Sequence, residues 1–470
     1  MTLCAFLAIL KCVAESSVGS SYHSSIILLH ISTYLSLVLR MPARRANQPT
    51  TISLFTGAGG MDFGLEASGF DTRVAVEIDP VACRILRLNR TWNLIEGDIC
   101  KVSSEDIFRK GGLKRGEADL LVGGPPCQPF SKAGYWKYGD SKRLLDPRAN
   151  TLKEYLRLLE DTKPRAFLLE NVPGIAFDGK NEGLRFIEKR IEQINQRIGT
   201  RYNVHWRILN ATDYGVPQIR QRVFVVGSRD GLPFEFPLPS FFPPDIARAR
   251  GARRHRTAWD ALADLPSPLD SESLRIQGRW ANLLPSVPEG QNYLWHTSRG
   301  AGQEIFGWRT RYWSFLLKLA KNKPGWTIQA QPGSAIGPFH WHNRRLNAAE
   351  LGRLQTFPDG LDFSCSTNEA QRLIGNAVPS LMTEILGWEI RQQLLGLRER
   401  PRILKLLPPA RRSCPPPERV RRVPKEYAKY IGDHPDHPGT GLGPGARARA
   451  APSRRRGRTK LERYPKALAG

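Results

Sequence analysis

The sequence has no C-x-x-C pair and only seven cysteines in 470 residues, an odd number. That excludes a disulfide framework or a cysteine zinc site and fits a reducing compartment, so a cytoplasmic protein is expected. The nine histidines show no metal-ligand spacing beside those cysteines, and no metal is expected. Long apolar runs are also missing. "LCAFLAIL" and "IILLHISTYLSLVL" fall short of the roughly 20 residues that a membrane span needs, and no Lys or Arg precedes the first as a signal peptide would require. No membrane association is expected. Residues 1–40 read as an upstream extension whose translation is open, a membrane anchor being the less favoured alternative. Internal repeats are absent. Acid is scarce, with 44 Asp and Glu against 70 Lys and Arg, a net charge of +26. The resulting pI near 10.1 points to a polyanionic partner, nucleic acid being the commonest.

What is present, from Thr51 on, is alternation. "TISLF", "TRVAVEID", "NLIEGDI", "ADLLVGG", "AFLLENV", "VHWRILNA" and "RVFVVGS" read as strands, with helical patterns between most of them. The expected fold class is α/β, a doubly wound sheet whose ligands sit beyond the strand C-termini. After Arg229 the texture becomes rich in Pro, Trp, Arg and Gly and loses its period, then turns helical again at "RRLNAAELGRLQTFPD". The expected organisation is an N-terminal extension over 1–48 and a cofactor-binding domain over 49–240. A smaller irregular domain over 241–345 follows, then a return to the first domain over 346–396 and a basic tail over 397–470. The tail carries 20 Lys and Arg against 6 Asp and Glu, and is expected to be disordered or loosely packed.

The Gly-rich turn "FTGAGGMDFG" lies between a strand and a helix, where a nucleotide-type cofactor binds. It departs from the dinucleotide fingerprint, because Asp62 stands where the third glycine belongs. An acid there suits a cofactor that is cationic and lacks phosphates. Glu77 follows Gly57 at the spacing of a ribose-binding carboxylate, and Asp98 at the end of the third strand can reach an adenine edge. A tight turn with solvated acids would look the same. In "GGPPCQPFS", prolines fix the backbone on both sides of Cys127 at the mouth of a strand. A lone cysteine is usually a small buried hydrophobe, but this setting suits a nucleophile. Glu170 and Asn171 end the next strand, close enough to serve whatever Cys127 attacks. Arg220 and Arg222 in "QIRQR" stand two apart on one face of an extended segment, suited to an anion or a polarised carbonyl oxygen.

Taken in order, "SLFTGAGGMDFGLEASGF", "GGPPCQPFS", "ENV", "QIRQRVFVVGSR", "RRLNAAELGRLQTFPD" and "IGNAVP" resemble the successive motifs of the DNA (cytosine-5) methyltransferases, in the arrangement of the bacterial restriction–modification enzymes. The resemblance spans about residues 50–396. It implies a Rossmann-like methyltransferase domain that binds S-adenosyl-L-methionine, with a target-recognition domain in the irregular region. It assigns Phe55, Gly57, Gly59, Glu77, Asp98, Ile99, Asn376 and Val378 to the cofactor. Cys127 would be the nucleophile, with Glu170 at the base N3, Arg222 at its O2 and Arg220 in support. Gln128 and Ser131 would touch DNA. Specificity would lie in about 267–325, with Arg275, Gln277, Arg279, Asn292, Arg299 and Arg309 as candidate contacts. The implied partners are double-stranded DNA and a cognate restriction endonuclease, the enzyme itself being a monomer. A tRNA methyltransferase with the same chemistry and a catalytically silent DNA-binding descendant are the alternatives.

Overall fold

All seven expected strands form; β1, β2, β4, β5 and β7 are largely buried runs, whereas β3 and β6 at the two ends of the sheet stay partly exposed. The computed structural model describes residues 48–126, 150–176, 182–267, 271–309, 312–331, 333–397, 401 and 403–438. Contacts divide the chain into Met1–Gln48 and Pro49–Gly470, and every element named below belongs to the second unit. The strands are β1 (Thr50–Leu54), β2 (Asp71–Glu77), β3 (Asn93–Glu96), β4 (Leu120–Gly123), β5 (Ala166–Asn171), β6 (His205–Asn210) and β7 (Gln221–Ser228). They form one sheet in the order β3-β2-β1-β4-β5-β7-β6. β7 pairs antiparallel with both β5 and β6, while the remaining pairs are parallel.

Side-chain alternation splits the core into two layers. Ile52, Leu54, Leu121, Phe167 and Leu169 join one cluster, with Leu156 of α4 (Asn150–Thr162) and Ile187 of α5 (Glu182–Ile198). Leu120, Val122, Leu168 and Phe224 face the other side. There they meet Leu65 of α1 (Gly60–Ala67) and Leu381 and Ile385, from a helix late in the chain. Between lie α2 (Pro80–Asn89) and α3 (Ser104–Gly111). Asp79 starts α2 by accepting from the Val81 and Ala82 N–H groups, and left-handed Gly112 ends α3.

Among the described residues, the region after β7 holds α6 (Pro244–Arg250), α7 (Ala258–Leu262), short 3-10 turns, isolated bridges and β8 (Phe241–Phe242) paired with β9 (Arg253–Arg254). Capping boxes at Asn347–Glu350 and Ser366–Glu369 then start α8 (Ala348–Leu354) and α9 (Thr367–Asn376). The helical pattern across "IGNAVPSLM" is broken at Ala377–Pro379, where proline has no N–H to continue the ladder, and α10 (Ser380–Gln393) starts after it. α10 lies tight on α1: a Cβ on Gly64 would stand 2.1 Å from both the Ser380 carbonyl oxygen and the Thr383 hydroxyl.

Residues 403–438 correct the expectation of a loose tail. They form a strap across α7 and the irregular region. Asp260 accepts from the Arg411 N–H at 2.7 Å, and Glu418 meets buried Lys321 at 2.8 Å. Tyr427, 2 % exposed, stacks on Trp280 with ring centroids 5.5 Å apart. Proline-rich composition suggested disorder, but an extended strap needs no internal hydrogen bonds when its neighbours supply partners.

Candidate active site

The chain must turn from β1 into α1 between Leu54 and Gly60, and it does so with three left-handed residues. These are Phe55 (φ 56°), Gly57 (φ 57°) and Gly59 (φ 82°). Only Phe55 has a side chain, and holding it there costs on the order of 1–3 kcal/mol. Glu77, at the end of the adjacent β2, fastens the turn. Its Oε2 accepts from the Gly57 N–H at 2.6 Å and its Oε1 from the Ile78 and Asp79 N–H groups at 2.9 and 2.8 Å. That is the physical meaning of the Gly57–Glu77 spacing, and Oε2, which accepts only once, keeps lone-pair capacity for a hydroxyl.

The helix side of the turn is closed. A Cβ on Gly60 would stand 2.5 Å from the Val378 carbonyl oxygen and 2.9 Å from the Ala377 Cβ. The other side is open, since a Cβ on Gly57 or on Gly97 would meet no atom within 4 Å. Gly97 lies beside Glu77, donating to its carbonyl oxygen at 2.8 Å. Asp98 stands two residues beyond the end of β3, not on it, and caps a 3-10 turn by accepting from the Cys100 N–H at 3.0 Å. Ile99 behind it is buried. Val378 is buried against α1, and Asn376 is exposed at the end of α9. The expected cofactor residues thus come from the C-terminal ends of β1, β2 and β3 and from the break between α9 and α10. An open cradle with Glu77 and Asp98 on its rim fits a cationic nucleoside without phosphates. Asp62 does not line it. That side chain is fully buried, and burial lifts its pKa to about 7 against the pull of the Ser53 hydroxyl.

A second group assembles one strand over. Gly123 at the end of β4 pairs with Leu169 of β5, so the Gly124–Pro126 segment runs beside Glu170. A Cβ on Gly124 would lie 2.9 Å from Glu170 Oε2, and the Asn171 amide donates to the Pro125 carbonyl at 3.3 Å. Cys127, Gln128 and Ser131 lie outside the described residues. Arg222 reaches the group from β7, its Nε 2.8 Å from Glu170 Oε1. Because β7 is antiparallel, "QIRQR" sits at a strand N-terminus, and this puts it at the same sheet edge as the C-terminal ends of β4 and β5. Burial raises the Glu170 pKa, while the Arg222 and Arg220 guanidiniums pull it back. Arg220 is buried and turns towards the chain's far end, donating to the Gly375 and Ala377 carbonyls at 2.8 Å each. It therefore ties the base-side strand to the loop that closes the cofactor cradle.

Gln218, not singled out from the sequence, does similar work. Fully buried, it donates to the Leu354 carbonyl at 3.3 Å and accepts from the Ile328 N–H at 3.2 Å. Its signal was its place as the first glutamine of "QIRQR".

The candidate DNA contacts divide. Arg275 and Gln277 are exposed while Leu274 and Ile276 between them are buried. Arg279 continues this exposed row but also donates to the Tyr430 hydroxyl and lies 4.7 Å over that ring. Arg299 pairs with Asp436 at 3.2 Å and Arg309 donates to the Pro435 carbonyl at 2.8 Å, so both hold the strap. Asn292 is corrected. It is 3 % exposed, caps a turn at Leu294 and donates to the Trp313 carbonyl, which leaves no free edge for a base. Among the described residues no helix is long and apolar enough to cross a membrane.

The sequence matches the family described as C-5 cytosine-specific DNA methylase over residues 49–392. It is 39% identical over 370 residues to the Type II methyltransferase M.SacI of Streptomyces achromogenes, covering 73% of this chain and 93% of that one. It is 41% identical over 235 residues to the Type II methyltransferase M.AquIA of Picosynechococcus, covering 48% and 93%. Among solved structures, it resembles a prophage-encoded E. coli protein described as a DNA modification methyltransferase, with TM-score 0.51, 26% identity and coverage of 74% and 99%. Dnmt2 of S. pombe shares the fold, with TM-score 0.50, 18% identity and coverage of 75% and 100%.

Proposed function

The chain belongs to the C-5 cytosine-specific DNA methylases, enzymes that use S-adenosyl-L-methionine, and from that premise we propose how its residues divide the work. When bound, the cofactor supplies an electrophilic methyl group. Phe55, Gly57, Gly59, Glu77, Asp98, Ile99, Asn376 and Val378 form its cradle, with Glu77 taking the ribose hydroxyls and Asp98 the adenine edge.

The substrate is a cytosine within a specific double-stranded sequence. Its C6 is unreachable inside a duplex, so the nucleotide flips out; methyltransferases are among the general examples of this behaviour. The Cys127 thiolate adds to C6, and negative charge spreads towards N3 and O2. Glu170 holds a proton for N3, and Arg222 sets a fixed cation at O2. After methyl transfer the C5 proton leaves and Cys127 is eliminated. The single observation that carries this reading is the Glu170–Arg222 pair at the mouth of β4, 2.8 Å apart, with Glu170 buried and Arg222 half-buried. An acid raised by burial and braced by a guanidinium suits a step that needs both a proton and a cation.

Residues 241–345 are the target-recognition domain, and the relatives named as Type II methyltransferases support a role in restriction–modification, beside an endonuclease cutting the same site. The enzyme acts as a cytoplasmic monomer. Bisulfite sequencing of plasmid DNA from cells expressing the protein is expected to show complete conversion resistance at one short sequence. Cys127→Ala is expected to abolish it while leaving cofactor binding. DNA carrying 5-fluorocytosine at that site should trap the wild type covalently. Appreciable turnover by Cys127→Ala would overturn the mechanism, and methylation of tRNA but not plasmid would overturn the substrate.

A further inference from the structure

We propose that the strap, residues 403–438, presents a cationic surface that grips the phosphate backbone of duplex DNA beside the recognition sequence; this rests on the DNA-methylating function above. The strap faces two ways. On the protein side Glu418 meets Lys321 and His342, and Glu426 accepts from the Asn282 amide at 3.0 Å. Tyr427 fills the aromatic cluster on Trp280. Outward it leaves Arg419, Arg421, Arg422, Lys425 and Lys429, all exposed and none in an ion pair with a carboxylate among the described residues. Glu418 and Glu426 are themselves exposed, but each is engaged by a protein partner, and the stretch between them carries charge of one sign only. Clustered guanidiniums with no carboxylate partner are the footprint of phosphate binding.

The face is held in place. The Arg421 N–H donates to the Pro285 carbonyl at 3.0 Å, and the Tyr427 hydroxyl to the Arg279 carbonyl at 2.9 Å. It also continues the exposed row of Arg275, Gln277 and Arg279, which ends on Tyr430 of the strap. Phosphate contacts fix register and carry no sequence information. The strap would therefore set how firmly the recognition domain sits on DNA, and not which base it reads.

The test is the salt dependence of binding to a random-sequence duplex of about 40 base pairs, followed by fluorescence anisotropy on the full chain. The variant Arg419→Gln/Arg421→Gln/Arg422→Gln/Lys425→Gln is expected to lower the slope of log Kd against log salt by about 3.6, at roughly 0.9 for each phosphate no longer neutralised. Two controls separate this from other readings. A chain ending at Pro438 keeps the strap and should keep the difference. A second variant, Arg109→Gln/Lys110→Gln/Lys114→Gln/Lys189→Gln, removes four exposed charges elsewhere and should move the slope by less than about 1, one phosphate's worth. Unchanged melting temperatures keep the variants comparable. Equal slopes for wild type and strap variant, or equal losses in both charge variants, would overturn the proposal. A wild type that leaves plasmid DNA unmethylated would instead overturn the function on which it rests.

Discussion

The sheet domain and the irregular region after it differ in how each makes its core. The sheet domain buries two faces of seven strands under helices. Glu170 and Arg222, the proposed catalytic pair, sit at one edge because strand register puts them there. The irregular region has few regular elements, and its core packs Leu283, Leu284, Val287 and Leu316 with the rings of Tyr293, Trp280, Phe306 and Phe315, completed by Tyr427 from more than a hundred residues later. Periodic backbone hydrogen bonding supports the first, whereas the second depends on a distant segment arriving. A site built on the first kind of core is rigid enough for chemistry, and the second kind can carry variable loops without disturbing it.

The largest effect that sharpens this contrast is loss of the strap. A chain ending at Gly396 is expected to keep cofactor binding, measured by calorimetry, and to lose DNA binding altogether, while one ending at Pro438 retains both. Equal DNA affinity of the two would break the comparison.

On the rigid side, Glu170→Gln is expected to lower the single-turnover rate of methyl transfer by roughly 10²–10⁴-fold, the range for a lost general acid, with cofactor affinity unchanged. A tenfold loss or less would mean that Arg222 alone carries the charge.

Tyr427→Ala removes a buried ring from the aromatic cluster and should cost about 3 kcal/mol by denaturant unfolding, felt mainly as weaker DNA binding. Gly64→Ala should cost roughly 1–3 kcal/mol, because a methyl there meets the α10 backbone. Here the loss should appear as cofactor release, since α10 follows directly on Val378. The two variants thus report on opposite domains. A shared phenotype would argue that the cores are not separate.

The smallest effect concerns Asp62. Its folded pKa of about 7 lies above the ordinary value of 3.8. The folded state therefore keeps a proton that the unfolded chain releases as pH rises from about 4 to 7. Stability contributed by that proton is present below pH 4 and lost by pH 7. Asp62→Asn should match wild type near pH 4 and exceed it by about 1 kcal/mol or more at pH 8. A pH-independent difference would mean that Asp62 has a partner cation when folded.

Much of this was legible before any coordinates. Strand periodicity, the Gly57–Glu77 spacing and the strand-end positions of Glu170 and Asn171 are local properties, and local chemistry determines them: a β-strand ends where its apolar run ends, and a left-handed turn needs glycine. Where the reading failed, the reason was a partner far away in the chain. Asn292 looked like a base reader because its amide can bond to an edge, but Leu294 and the Trp313 carbonyl take it. Asp62 looked exposed to the cofactor, and helix phase turned it into the core. The strap looked disordered because prolines and charges cannot bury themselves, and nothing nearby showed that Trp280, Lys321 and Asp260 would do it for them. By itself the sequence determined the sheet, the turn and the types of residue at its edge. Only the tertiary structure decided that an antiparallel β7 swings Arg222 onto Glu170, that Arg220 ties the far-end loop to the same strand, and which arginines stay free for DNA. Hydrogen bonds and ion pairs between distant segments leave no period in a sequence, so they exist only once the chain has folded.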